Sequence, residues 1–289
     1  MFKSKFTKLA AALAMSLGSV GAAQAFVIQA GDFKLTVDAY DSATSGYGAA
    51  GCASIAGCDA AASSKALGSI GSVNTSADTM GIFSVASITR LSDNSQWFTR
   101  GVDGFLTGIF GNLMDYSVTT VGPFTAANAM GGTWSMWLNT TDYDKTQGPA
   151  VVAGVKDLNA GLYSSISGVG GTKVLEGVFA PGSDLTDPLA TFSTFFNSNS
   201  LAGTSSGFMD VTGGLWQESF DTDGQLFGRD LFASFSFAPT TESLANNWTV
   251  AATAGINGSA VPEPGSLALL SLGLLAAGAT MRRRNGQDK

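Results

Sequence analysis

A short acidic segment contains the side chains whose types and spacing best support chemistry. Asp221 and Asp223 alternate and precede Gly224, which allows a sharp turn, and Asp230 follows closely. Alternate carboxylates ahead of a glycine open many calcium-binding loops, because Ca²⁺ takes oxygen ligands. The usual twelve-residue pattern is not completed here, since Gln225 replaces an acidic ligand. Two interpretations stay open: a calcium site formed by Asp221, Asp223 and Asp230, and a solvated acidic turn between strands.

The complete absence of histidine excludes several enzyme classes. Ser-His-Asp and Cys-His catalysis, HExxH proteases and most transition-metal sites all need an imidazole. Residues 203–207 match G-x-S-x-G, but the serine has no base, so we interpret them as a Gly/Ser-rich turn. Paired carboxylates of a glycosidase leave no trace in sequence. We therefore predict that the protein is not an enzyme, with a carboxylate-based glycan-active enzyme as the third-ranked alternative.

Two further residue types have candidate roles. Cys52 and Cys58 are the only cysteines and lie in the Gly/Ala-rich segment GCASIAGCDA, where a small disulfide ring is the natural interpretation for an exported protein. A zinc site would need more ligands than the sequence offers nearby. The five tryptophans are candidates for stacking on sugars, although most tryptophans of β proteins lie in the core. They are Trp97, Trp134, Trp137, Trp216 and Trp248.

Charge is segregated along the chain. Seven of the 15 basic residues lie before residue 26 or after residue 260, whereas only two of the 22 acidic residues do. The central part therefore has eight basic and 20 acidic residues, a net charge of −12. Such a domain repels phosphates and anionic lipids, so we predict no nucleic-acid partner.

Residues 1–25 have the three parts of a secretion signal. Lysines at positions 3, 5 and 8 precede an apolar core over residues 9–20, and Ala23-Gln24-Ala25 forms an A-x-A cleavage site. The apolar core is too short to span a bilayer comfortably. We predict that signal peptidase cleaves after Ala25, so that the mature chain begins at Phe26.

The last 29 residues combine prolines, an apolar run and a basic cluster. Residues 267–281 contain no charge and would extend about 22 Å as a helix at ~1.5 Å per residue. Counting from Pro264 gives roughly 27 Å, enough for a slightly thinned bilayer. Arg282, Arg283 and Arg284 follow at once and should stay cytoplasmic by the positive-inside rule. We therefore predict a short membrane helix over 265–281 that transiently tethers the precursor to the inner membrane.

This C-terminal arrangement resembles the PEP-CTERM sorting signal. The resemblance depends on Pro262, Glu263 and Pro264, on the Leu/Ala/Gly-rich run, and on the arginine cluster that follows. It implies that an exosortase recognises the Pro-Glu-Pro triplet, removes the tail and passes the domain to the cell surface or extracellular matrix of a Gram-negative-type bacterium. A plain C-terminal anchor is the alternative, and only the triplet distinguishes the two.

The residues between the two signals predict strands. Apolar side chains alternate with polar ones, for example at Phe33, Leu35 and Val37, turn residues recur, and no apolar stripe of helical period and length is present. The alternating segments are 33–38, 82–88, 134–138 and 231–237, with shorter candidates at 191–195 and 248–251. We predict an all-β fold, an antiparallel β-sandwich or jelly-roll-like domain.

The organisation we predict has four parts: a signal peptide (1–25), an acidic Gly/Ser-rich β domain (26–254) with a flexible insertion (41–79), a linker (255–260) and the sorting signal (261–289). The predicted function is that of an exported surface or extracellular-matrix protein, sorted by exosortase and associated with exopolysaccharide or biofilm. The alternative is a calcium-dependent carbohydrate-binding module, with calcium as its only cofactor.

Overall fold

The computed structural model describes residues 28–42, 79–149, 151–152, 155–156, 160–167 and 171–261. In these residues the strands are β1 (Gly31–Ser42), β2 (Thr79–Arg90), β3 (Gln96–Thr99), β4 (Phe105–Val121), β5 (Phe124–Asn139), β6 (Val151–Val152), β7 (Val155–Lys156), β8 (Thr172–Ala180), β9 (Phe192–Asn197), β10 (Gly203–Gly213), β11 (Leu231–Ala238) and β12 (Val250–Ala260). Two short α-helices, α1 (Gln217–Phe220) and α2 (Thr241–Ala245), and two 3₁₀ turns, Lys145–Gln147 and Ala160–Leu162, complete the described elements.

The main sheet closes on itself as an antiparallel barrel. Its strands follow the order β1-β12-β11-β10-β8-β5-β4-β2, and β1 pairs with β2 as well as with β12. The all-β prediction is therefore confirmed, but the β-sandwich or jelly roll is wrong. The physical reason is that inward and outward side chains alternate with period two in both architectures, whereas closure depends on which strands pair.

One position in the barrel is shared by two strands. β8 pairs with residues 133–138 of β5, and β9 pairs with residues 124–129 of the same strand. Both also pair with β10 on their other side. The chain leaves the sheet between β8 and β9. This one position between β5 and β10 is therefore occupied by β8 at one end of the barrel and by β9 at the other.

Large aromatic side chains fill one end of the barrel, which we call the closed end. Phe220 of α1 lies against Phe33 of β1 with ring centroids 5.2 Å apart, and Trp97 lies 5.6 Å from Phe33 on another side. Trp216 stacks on Phe220 at 6.2 Å. All four are buried, so α1 packs across this end as part of the hydrophobic core.

A second apolar cluster lies on the outer side of the barrel. Tyr163 and Ile166, from the segment after β7, pack with Ile82 of β2, Ile109 of β4 and Trp137 of β5. This cover explains why β2 is apolar on both faces over much of its length.

The predicted strand segments 33–38, 82–88, 134–138 and 231–237 lie within β1, β2, β5 and β11. Three other assignments need correction. Residues 255–260, predicted as a linker, belong to β12, where they pair with β1. Residues 203–207, predicted as a turn, form the first part of β10, because β9 and β11 supply hydrogen-bonding partners on both sides. The predicted insertion 41–79 overlaps both neighbouring strands: residues 41 and 42 belong to β1, and residue 79 belongs to β2. Residues 43–78 lie outside the described part.

Candidate functional site

The barrel holds a cavity of about 350 Å³ at the end opposite α1. We call this end the barrel mouth. It is formed near the last residues of β1 and β11, where Asp41 and Phe237 line it, and where β2 and β12 begin at Thr79 and Val250. Small-molecule sites of proteins are commonly found in the mouths of β-barrels. The mouth is therefore the candidate binding site of this fold.

Aromatic side chains form the floor of the mouth cavity. Phe110 of β4 and Phe235 of β11 lie with ring centroids 6.4 Å apart, and Phe192 of β9 meets Phe235 edge-on at 5.7 Å. Below this floor the barrel interior is filled, leaving a cavity of only about 40 Å³. The mouth is thus a shallow chamber rather than a channel through the barrel.

Small side chains line the walls above that floor. Ala127 and Ala129 of β5, Ser205 of β10 and Ala252 of β12 all face the cavity. In the lower half of the same barrel the inward positions are occupied by large residues such as Trp134. The chamber therefore exists because inward side chains change from large to small along the strands.

Hydroxyl groups of the cavity wall are hydrogen-bonded to each other. Thr125 Oγ1 lies 2.6 Å from Ser198 Oγ and 3.0 Å from Thr120 Oγ1. These pairs satisfy polar atoms that would otherwise have to bond water or a ligand. The wall thus combines apolar surface with hydroxyls that can exchange partners.

The structure brings together the three carboxylates that the sequence nominated for calcium. One oxygen each of Asp221, Asp223 and Asp230 lies within 4.8 Å of the others. Asp221 and Asp223 are exposed, whereas Asp230 is only 2% exposed. Asp230 accepts hydrogen bonds from the backbone N–H groups of Val211, Thr222 and Asp223 at 2.7–2.8 Å. Its carboxylate therefore fastens this loop to β10, whether or not the cluster also holds a cation.

A polar network on the outer surface links β1 to the loops beside it. Glu242 accepts a hydrogen bond from Tyr40 Oη at 2.6 Å and pairs with Lys145 Nζ at 2.8 Å. The hydrogen bond from Lys145 and, to a smaller extent, that from Tyr40 lower the pKa of Glu242. Burial is the main cause that raises the pKa of Tyr40, and its hydrogen bond to Glu242 raises it further. Arg100 similarly pairs with Asp38 of β1 at 2.7 Å. These mutual pairings hold α2 and the loops against the barrel.

All five tryptophans are buried, with exposures between 1% and 8%. Trp134 lies in the barrel interior, and Trp248 of the outer cluster donates its indole N–H to the carbonyl oxygen of Lys145 at 2.8 Å. The core interpretation is confirmed for this residue type. Little of any of these rings is therefore exposed for stacking on a sugar.

The predicted processing and disulfide residues lie outside the described part of the chain. They are Ala23, Ala25, Cys52, Cys58, Pro262, Glu263, Pro264, Arg282, Arg283 and Arg284, together with the predicted helix 265–281. Among the residues that are described, no helix is long and apolar enough to cross a membrane.

The two outermost described residues, Ile28 and Val261, both lie near the closed end. Gly31 pairs with Ala260, and Val261 donates its N–H to the carbonyl oxygen of Ser219 in α1. The described chain therefore enters and leaves the barrel at the end opposite the mouth.

Comparison with known proteins gives one match. Residues 260–284 match the PEP-CTERM protein-sorting motif. No curated protein and no solved structure matches the chain. The resemblance drawn from the C-terminal residues is thus confirmed, and the motif implies an exported protein that exosortase processes at the membrane. The central domain has no family match.

The mouth was not predicted from the sequence. The signal available was the run of inward alanines in β5 and β12, at Ala127, Ala129, Ala252 and Ala254. Taken alone, alternating alanines indicate only a strand with one small-residue face. The alanines line a chamber only because the barrel closes and places β5 and β12 around the same space.

Proposed function

We propose that this protein is a non-enzymatic barrel exported to the cell surface or extracellular matrix, where it associates with exopolysaccharide or biofilm. The observation that supports the proposal is the PEP-CTERM motif over residues 260–284. Because the described chain leaves the barrel at the closed end, a precursor held by its C-terminal tail has its mouth at the far end. The absence of histidine supports a binding role over catalysis.

Mass spectrometry of the exported protein from its native host tests the sorting step. We expect a chain that begins at Phe26 and ends near Pro262 to Pro264. Glu263→Gln should block removal of the tail, whereas Asp288→Asn, the matched change at the only other acid beyond residue 260, should not. Surface-released protein that still carries Arg282 to Arg284 would contradict the proposal.

Association with polysaccharide is tested separately. The protein should co-fractionate with exopolysaccharide and be released when a glycosidase degrades that polymer. If it instead stays with the washed cells after the polymer is degraded, the proposed association is wrong, while export and sorting are unaffected. Detectable turnover of the polymer, lost on changing a single acid in a folded variant, would identify an enzyme.

Calcium-dependent carbohydrate binding stays the second candidate. The observation that favours it is the gathering of Asp221, Asp223 and Asp230 within 4.8 Å. A glycan array with and without calcium separates the two: binding that a chelator abolishes supports this candidate. Binding that is equal in both conditions contradicts the calcium requirement.

A further inference from the structure

We propose that the barrel mouth binds one small, mainly aromatic molecule that carries no negative charge. Protein interiors are close-packed, and voids larger than a water molecule are few. The chamber of about 350 Å³ corresponds to about a dozen waters at ~30 Å³ each. It also lies within the range of small-molecule sites, roughly 300–1,000 Å³. The cavity on the other side of the chamber floor measures only about 40 Å³, so loose packing throughout the barrel does not explain the chamber.

The floor of the chamber is fixed in place by the backbone around it. The ring of Phe110 lies so close to Gly81 of β2 that a Cβ added to Gly81 would come within 2.5 Å of the ring. Gly207 of β10 leaves similar room for the ring of Phe192. The floor rings therefore occupy space that the sequence keeps open with glycine, and the site is shaped before a ligand arrives.

The lining chemistry selects the class of ligand. The floor offers phenylalanine rings, which favour stacked or edge-on contact with another aromatic ring. Alanine walls add apolar surface, and the hydroxyls of Thr125 and Ser205 can bond one polar group. Among the described lining residues the ionisable groups are the carboxylates of Asp41 and Asp115, so an anionic ligand would be disfavoured.

The depth of the chamber limits the length of the ligand. Phe110, Phe192 and Phe235 close off the lower barrel, which is filled by residues such as Met136 and Phe179. A long acyl chain would have to displace this floor. A compact molecule of one to three rings fits the chamber of about 350 Å³ as it stands.

Fluorescence titration with the uncharged probe N-phenyl-1-naphthylamine tests the proposal. The exported protein, with residues 43–78 in place, should bind one probe per chain with a saturable rise in fluorescence. Ala127→Leu should weaken binding by about tenfold or more, because the added methylenes fill the chamber. The matched control is Ala126→Leu on the same strand, where the side chain is exposed on the outer face; its affinity should stay within about twofold.

The control also identifies the main competing site. Ala126 pairs with Phe195, which stacks on Phe124 in an exposed apolar pair. Probe bound there should respond to Ala126→Leu and not to Ala127→Leu, and that result would overturn the proposal. Absence of saturable binding to the unaltered protein would also overturn it. Circular dichroism checks the fold of each variant, and Ala252→Leu on the facing wall replaces Ala127→Leu if that variant fails to fold.

Discussion

Asp230 carries the interaction whose removal should have the clearest effect on stability. Its carboxylate is almost fully buried and accepts three backbone hydrogen bonds, from Thr222 and Asp223 through Oδ1 and from Val211 through Oδ2. The first two donors belong to the loop after α1, and the third belongs to β10. One side chain therefore holds two segments of the chain together.

Asp230→Asn preserves the shape of the side chain but replaces one of its two acceptor oxygens with an NH₂ group, which is a hydrogen-bond donor. If the amide oxygen keeps the bonds from Thr222 and Asp223, the amide NH₂ faces the N–H of Val211, and two donors meet. Losing a hydrogen bond to a charged group costs roughly 1.5–3 kcal/mol, and a buried unpaired donor costs roughly 1–3 kcal/mol. We expect a total loss of about 2.5–6 kcal/mol in the free energy of unfolding. For a domain of this size each kcal/mol lowers the Tm by roughly 2–4 °C.

Urea and thermal unfolding in the presence of chelator provide the assay. Asp221→Asn is the matched control, because Asp221 is exposed and its change should stay within about 0.5 kcal/mol. A loss within that same limit for Asp230→Asn would refute the role of this carboxylate in joining the loop to β10. If calcium binds, it should stabilise the unaltered protein by about 2.7 kcal/mol at a hundredfold excess over Kd, and Asp221→Asn should remove this gain. An equal gain in both proteins would exclude Asp221 as a ligand.

Two further predictions concern packing and pH. Gly108→Ala should lower the free energy of unfolding by about 1–3 kcal/mol in urea denaturation, because the added Cβ would overlap the ring of Phe83 and the carbonyl oxygen of Ser135. The control is Gly255→Ala, whose Cβ would meet only the end of a lysine side chain and should be nearly neutral. Equal effects of the two substitutions would contradict this reasoning. Burial raises the pKa of Tyr143 well above its ordinary value of 10, so the unfolded chain releases this proton first and stability should fall as the pH rises above about 10. Tyr143→Phe should make that fall shallower in unfolding measurements between pH 8 and 11, and an unchanged slope would refute the assignment.

The sequence predicted the strands in which alternation is regular. At every second position β1 and β11 place an apolar side chain inward, as at Phe33 and Leu231, and both strands were recognised. β4 was missed although it is the longest strand described, with 17 residues. Glycines and Asn112, whose φ is 58°, interrupt its alternation. Strand pairing with β2 and β5 outweighs these weak local preferences.

The two candidate sites differ in how far the sequence could reveal them. Asp221, Asp223 and Asp230 lie within ten positions of each other, so one loop can gather them and a local pattern can indicate them. The mouth takes its lining from many separate strands, including β5 and β12, which are far apart in sequence. Because tertiary pairing alone brings these strands around one chamber, no local pattern could indicate it.

The position of the sorting motif constrains where the tail can be cut. The matched region begins at Ala260, which is buried and pairs with Gly31 as the last residue of β12. Val261 donates its N–H to Ser219, whereas proline, the next residue in the sequence, has no N–H to donate. A cut before Ala260 would remove part of a strand that closes the barrel between β1 and β11, whereas a cut at Pro262 or later leaves its pairing intact. We therefore expect the mature protein to retain Val261, and a shorter C-terminus on folded, exported protein would contradict this placement of the strand.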